Sequence, residues 1–268
     1  MRFRILGSSS SGNAALLITP QCKVLIDAGF SGRRLRDKLA GIGEKLESID
    51  AVFLTHEHGD HTAGLRGLSR IPHIKFYANR DTARAAQAKL ERKVNWGLFE
   101  TGVSFSFADL KVHPFSIPHD AHDPVGYIFE SGDGSLFSPF RKMAWLTDLG
   151  YAPQLVKERI RDCDLLVLEA NHDLELLERC EKRPWSTKQR IRGRHGHLSN
   201  EAAYELLAEA QSPRWRHICL AHLSKDCNCP NLVDRHFEPL RNGSHNLHID
   251  VFDPALEIGE EYNLAGHW

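Results

Sequence analysis

Short apolar runs separated by polar or glycine-rich breaks recur along the whole chain, and several of them stop on an acid or a histidine. Residues 2–6 and 14–19 alternate apolar and polar around Gly7-Ser8-Ser9-Ser10-Ser11-Gly12, which predicts a β-hairpin. Buried strands are expected over 24–26, 51–54, 74–78, 143–147, 165–168 and 218–221. Residues 103–107 and 110–117 read as antiparallel strands turning at Ala108-Asp109, and further strands are expected over 125–130 and near 247–252. Ser31 can cap a helix running to Leu39, with Gly41 as its stop. Further helices are expected over 62–69, 81–92, 153–161, 173–181, 199–210 with Ser199 as cap, and 231–240. Residues 182–198 read as irregular and basic.

Each half of the chain thus contributes several strands and flanking helices. The expected architecture is α+β, an αββα sandwich of two mixed sheets with helices outside, built as one domain over residues 1–268. No repeat, linker or low-complexity tract interrupts it. Apolar content of 41% and charged content of 26% describe an ordinary globule, and a net charge of −1 excludes a uniformly basic nucleic-acid binder but not a basic face. Six scattered cysteines form no disulfide framework; Cys227-Asn228-Cys229 is a bare C-x-C pair that rarely binds metal on its own. The N-terminal apolar run is broken too early for a signal peptide, and no stretch is long enough to span a membrane. A soluble, cytoplasmic protein with no membrane partner is expected. Nothing in the pattern fixes an oligomeric state.

The chemistry concentrates after the strand at 51–54, in Thr55-His56-Glu57-His58-Gly59-Asp60-His61. A loop at a strand's end can turn alternate side chains toward one point, and imidazole with carboxylate suits zinc, manganese or iron. These ligands are too many for one ion from so short a loop, so His56 and His58 fall naturally to one ion, Asp60 and His61 to a second. Taken singly, His119, Asp148 and His222 are ordinary polar residues after strands.

The H-x-H-x-D-H string resembles the signature of the metallo-β-lactamase-fold hydrolases. Over residues 1–255 the order of segments resembles a small, stand-alone, exonuclease-like bacterial branch of that superfamily. The resemblance implies that His56, His58 and His119 hold a first divalent ion, that Asp60, His61 and His222 hold a second, and that Asp148 bridges them. His122 competes with His119 as the ligand from Pro118-His119-Asp120-Ala121-His122, though the position before Asp120 matches the family better. Asp27, at the end of an apolar strand, looks like the carboxylate that supports the metal loop from behind. Glu169 and His197 resemble the paired motifs of the phosphodiesterase branch, where such a pair assists proton transfer to the leaving oxygen.

Together these imply a two-metal phosphodiesterase, foremost a DNA exonuclease, in which a hydroxide shared between zinc or manganese ions attacks the phosphate and Asp60 orients or deprotonates the attacking water. Neither interval between His119, Asp148 and His222 holds an accessory domain, which favours DNA over RNA. Ser9, Ser11 and Asn13 are expected to line a substrate cleft. Among the basic residues of 179–197, Arg190, Arg192 and Arg194 are expected to meet phosphates, with Trp185 available to stack on a base. Two other classes remain open at this point. One is a small-molecule ester, thioester or lactone hydrolase using the same ions, which leaves Glu169, His197 and the basic stretch unused. The other is a metal-stabilised binding protein without catalysis.

Overall fold

The structure, a computed structural model, describes residues 1–135, 139–243, 246–256 and 258–264. Among these, strands β1 (Arg2–Ser9), β2 (Gly12–Ile18), β3 (Lys23–Ile26), β4 (Ala51–Phe53), β5 (Lys75–Asn79) and β6 (Trp96–Phe99) lie side by side in one sheet. β1 to β3 pair antiparallel and β3 to β6 parallel. A second sheet holds β7 (Phe105–Phe107), β8 (Leu110–Ser116), β9 (Val125–Ser131), β10 (Arg141–Leu146), β11 (Leu165–Glu169), β12 (His217–Ala221) and β13 (His248–Val251). It is antiparallel as far as β10 and parallel beyond. β14 (Glu261–Asn263) closes the edge of the first sheet beside β1.

The inner faces of both sheets meet on one aromatic layer that includes Phe3, Phe53, Tyr127, Phe129 and Trp145, all buried. Phe53 lies 4.9 Å from the ring of Tyr77 and 5.6 Å from that of Phe129, so a single side chain of β4 couples the sheets. Helices α1 (Gly32–Ala40), α2 (Gly59–Thr62), α3 (Leu65–Leu68) and α4 (Arg80–Gln87) belong to the first half. Leu35, Leu39, Leu65 and Ala83 cover the outer face of the first sheet. In the second half come α5 (Gln154–Ile160), α6 (Leu174–Arg179), α7 (Trp185–Arg192), α8 (Asn200–Ala210) and α9 (Pro230–Asn242). Val156, Leu206, Leu207 and Phe237 cover the second sheet. The αββα sandwich of two mixed sheets is therefore the observed architecture. No helix among the described residues is long and apolar enough to cross a membrane.

Six elements depart from the expectation. β6 and β14 are edge strands with no buried residue, so no apolar alternation announces them. The segment 182–198, expected to be irregular, contains α7; none of its residues is buried, which leaves no stripe to read. The helix expected over 81–92 is α4 and stops at Gln87, whose side-chain oxygen accepts from Val94 N and Trp96 Nε1 at 3.0 and 3.1 Å and turns the chain into β6. The helix expected over 62–69 divides into α2 and α3, and α2 begins early enough to carry Asp60 and His61.

Because Phe53 fills the junction between the sheets, Phe53→Ala should lower the free energy of unfolding by about 3–5 kcal/mol. Chemical denaturation measures this; a loss below about 1 kcal/mol, the size of an ordinary substitution, would show that the layer does not couple the sheets.

Candidate metal centre

The candidate ligands all sit at or just beyond the carboxyl ends of strands, at one edge of the sandwich. Three site residues there hold left-handed backbone: Asp27 after β3, Asp148 after β10 and His222 after β12, with φ of 58°, 62° and 59°. This conformation costs a non-glycine residue on the order of 1–2 kcal/mol and persists where surrounding contacts over-determine it. Each such kink turns a side chain out of the strand's up-and-down alternation and into the shared edge. Two glycines permit the accompanying close packing. A Cβ on Gly29 would stand 1.7 Å from Asp60 O, and one on Gly150 would stand 2.3 Å from Arg194 O.

His56, His58 and His119 bring one ligand atom each to within 4.8 Å of one another, and Asp60, His61 and His222 do the same. These are the two trios expected from the sequence. Asp148 lies between them, its carboxylate 3.2 Å from His61 Nε2 and 3.7 Å from His119 Nε2. Four of the imidazoles have Nδ1 engaged. Nδ1–H of His61 donates to Asp27 at 2.8 Å, that of His222 to Glu169 at 2.7 Å, that of His119 to Gly196 O at 3.1 Å, and that of His56 to Thr55 Oγ at 2.9 Å. The Nε2 atoms therefore point inward as lone-pair donors, the arrangement by which outer partners fix a ligating histidine.

Whether a cation fits can be tested on the donor atoms themselves. His56 Nε2, His119 Nε2 and Asp148 Oδ2 are buried and have no hydrogen-bond partner in the protein. Buried polar atoms are rarely left so, and a divalent ion satisfies a cluster of imidazole and carboxylate donors. Charge agrees. Burial alone would depress the imidazoles of His61 and His222, yet Asp27 and Asp148 raise the first, and Asp148 and Glu169 raise the second, above the ordinary histidine value. Burial alone would raise Asp148, yet His222 and His61 pull it well below the carboxylate range. The side of the site around His61, Asp148 and His222 favours positive charge, whereas burial lowers His56 and His119.

Glu169 does more than its expected proton-transfer role requires. One oxygen accepts from both His197 Nδ1 and His222 Nδ1 at 2.7 Å, and the other accepts from Leu149 N at 2.9 Å and Leu198 N at 3.2 Å. Asp27, expected behind the metal loop, also accepts from Thr55 N at 2.8 Å and from the Thr55 hydroxyl. His122 joins no ligand group among the described residues. It is more than half exposed, and its ring meets the Glu57 carboxylate instead.

A pocket of about 210 Å³ opens over the cluster, and His58, Asp60, His119, Asp148, His197 and His222 face it. The expected substrate contacts divide. Arg190 lines the pocket and pairs with Asp120, whereas Arg192 and Arg194 do not line it, and Arg194 stacks on Tyr151 at 4.5 Å. Of the hairpin loop, Ser10 lines the pocket in place of Ser9 and Ser11, whose hydroxyls bond each other at 2.9 Å. Asn13 is fully buried. Its Oδ1 accepts from Ser8 and Ser9, and its Nδ2 lies 3.1 Å from His61 Nε2 and 3.5 Å from Asp60 Oδ2. It braces the ligands from behind rather than lining a cleft, because the β1–β2 turn is too tight to leave it at the surface.

Sequence reasoning missed Asn171 and Ser224. Asn171 Nδ2 donates to His222 O at 2.8 Å, and Ser224 N donates to Asn171 O. Each follows a strand-end site residue by two positions, which is the one signal that could have found them. Cys227 and Cys229 belong to no ligand group among the described residues.

A cluster of histidines and aspartates suited to divalent cations, at the strand-end edge of an αββα sandwich, defines a class of metal-dependent hydrolases with the metallo-β-lactamase fold. The chain belongs to the beta-lactamase superfamily, whose domain matches residues 23–222. Among characterised proteins it is 38% identical over 236 residues to exodeoxyribonuclease WalJ of Streptococcus pneumoniae, covering 87% of this chain and 85% of that one. It is 34% identical to exodeoxyribonuclease YycJ of Bacillus anthracis over 87% and 86% of the two chains. The Zn²⁺-bound PqqB of Methylobacterium extorquens superposes with a TM-score of 0.70 over 98% of this chain and all of its own, at 17% identity, a likeness of fold alone.

If Asp148 contributes to holding the cation, Asp148→Ala should release it. Elemental analysis after gel filtration should show most of the bound metal gone, and retention of the wild-type amount would assign that role to another acid.

Proposed function

We propose that this protein is a DNA exonuclease, a phosphodiesterase that works with two divalent ions, zinc or manganese, inside the bacterial cytoplasm. The carrying observation is that His197, bonded to the buried Glu169, lines the same pocket as members of both ligand trios. A thioester hydrolase has little use for that pair, since a thiolate departs without a proton donor, and an ester or lactone hydrolase leaves the basic residues of α7 unemployed. The names of the relatives at 34–38% identity support the same reading.

When bound, the two ions would polarise the phosphate and a water molecule and offset the charge that builds on the phosphoryl oxygens. His56, His58 and His119 would hold one ion and Asp60, His61 and His222 the other, with Asp148 shared. Asp60, partly exposed at the pocket, would accept a proton from the attacking water, and the Asn13 amide lies 3.5 Å from its Oδ2, the oxygen beside His61. His197 would carry its transferable proton on Nε2. Burial opposes that charge, but Glu169 and then Asp148 raise the imidazole above its usual value. Its Nδ1 is committed to Glu169, so Nε2 is the atom that can deliver a proton to the departing sugar oxygen. Around the pocket, α7 supplies Arg190, and at its start Trp185 is 61% exposed, free to stack on an unpaired base.

Two outcomes test this. Metal-replete protein should carry close to two equivalents per chain, and a reproducible single equivalent at saturation would remove the two-ion scheme. His197→Ala should slow cleavage of end-labelled DNA by about 10²–10⁴-fold while retaining metal. The same variant should lose far less on bis(p-nitrophenyl) phosphate, whose leaving group needs no proton. Equal losses on both substrates would reduce His197 to a structural or ligand role, and no loss on DNA would remove it from the mechanism and return the small-molecule hydrolase to the front.

A further inference from the structure

The pocket has a second chemical character away from the ligand cluster. Arg183 lines it together with Ser10, Asn171, Thr187 and Ser224, and the only carboxylates among its described lining residues are Asp60 and Asp148, both within the ligand groups. Arg183 Nε is buried and has no hydrogen-bond partner. Its Nη2 reaches Asp226 only at 3.4 Å, and Lys182 holds that same acid more closely, at 2.8 Å. The guanidinium thus has donors to spare beside a set of hydroxyls. Arg190 differs, because Asp120 already occupies it. The two arginines also pair with acids on different ligand loops: Asp120 follows His119, whereas Asp226 follows His222 in the chain.

A planar cation flanked by neutral hydroxyl donors, with no acid close enough to neutralise it fully, matches the oxygens of a phosphate. The pocket's 210 Å³ is smaller than the ~300–1,000 Å³ of sites that enclose a whole drug-sized ligand. It suits backbone phosphates with the bases held outside. We propose that Arg183, with the hydroxyls of Ser224 and Thr187, forms a subsite on the His222 side for the phosphate adjoining the scissile one. This rests on the nucleic-acid reading above and adds the residue that grips the strand beyond the bond being cut. That phosphate is either the terminal phosphate of the strand or the next internal linkage.

The test compares the metal-loaded wild type with Arg183→Gln and Arg183→Lys on three oligodeoxynucleotides. One is unmodified with a terminal phosphate, one lacks that phosphate, and one carries a neutral methylphosphonate at the linkage beside the scissile bond. Arg183→Gln should lower kcat/KM on the unmodified strand by about 10–100-fold, the value of a charge-assisted hydrogen bond. Metal content and cleavage of bis(p-nitrophenyl) phosphate should be unchanged, and Arg183→Lys should restore part of the loss. One of the two modifications should cost the wild type a similar factor and cost Arg183→Gln nothing further, and that one identifies the phosphate. Wild-type rates for Arg183→Gln on DNA, or modification losses equal in both proteins, would overturn the subsite alone. A wild type inert toward every polynucleotide would remove the nucleic-acid reading and the subsite with it.

Discussion

The Glu169 carboxylate, fully buried at the end of β11, is the contact on which the site's geometry depends. Burying a carboxylate is costly unless every lone pair is used, and here four donors converge on it. Two are backbone N–H groups, of Leu149 beyond β10 and Leu198 before α8. Two are the imidazoles of His197 and His222. One anion therefore ties two strand ends, a loop and a metal-ligand candidate into a single unit. Burial works against its charge, but His197 and His222 keep its pKa far below the usual glutamate range. Asp27 plays the equivalent part in the other half of the sandwich, binding His61 and both polar groups of Thr55.

These anchors explain how three residues stay in left-handed backbone. Asp27, Asp148 and His222 each trade local conformational cost for contacts that no extended residue could make from the same place. Around them the chain packs backbone against backbone at Gly29 and Gly150, where any side chain would collide. The rigid sheets supply the reference frame, and the aromatic layer about Phe53 and Trp145 keeps the two halves of the ligand set in register.

The opposite wall is built differently. α7 contributes no buried side chain. It is held by the ion pair of Arg190 with Asp120, by Lys188 Nζ donating to Glu178 O at 2.6 Å, and by His197 N donating to Ile191 O at 2.9 Å. Such polar attachment is weaker and more salt-sensitive than a packed interface. The ligand-bearing floor is thus held by buried contacts, whereas the wall formed by α7 is fastened only by polar ones.

Much of this was legible in the chain itself. The apolar runs with their strand-end acids and histidines specify the sandwich, because burial imposes period and length on any strand that crosses a core. The candidate ligands could be named from the His56–His61 string and, through the family resemblance, from His119, Asp148 and His222, and the fold brings them together. What the sequence could not decide were relations between residues distant along the chain. That Glu169 serves His222 as well as His197, that Asn13 turns inward to His61, and that Arg183 lines the pocket with its Nε left unbonded all depend on side-chain direction in the folded chain. Periodicity carries no such information. For the same reason α7 and the edge strands β6 and β14 were silent: an element that buries nothing leaves no hydrophobic pattern, and only the folded chain places it.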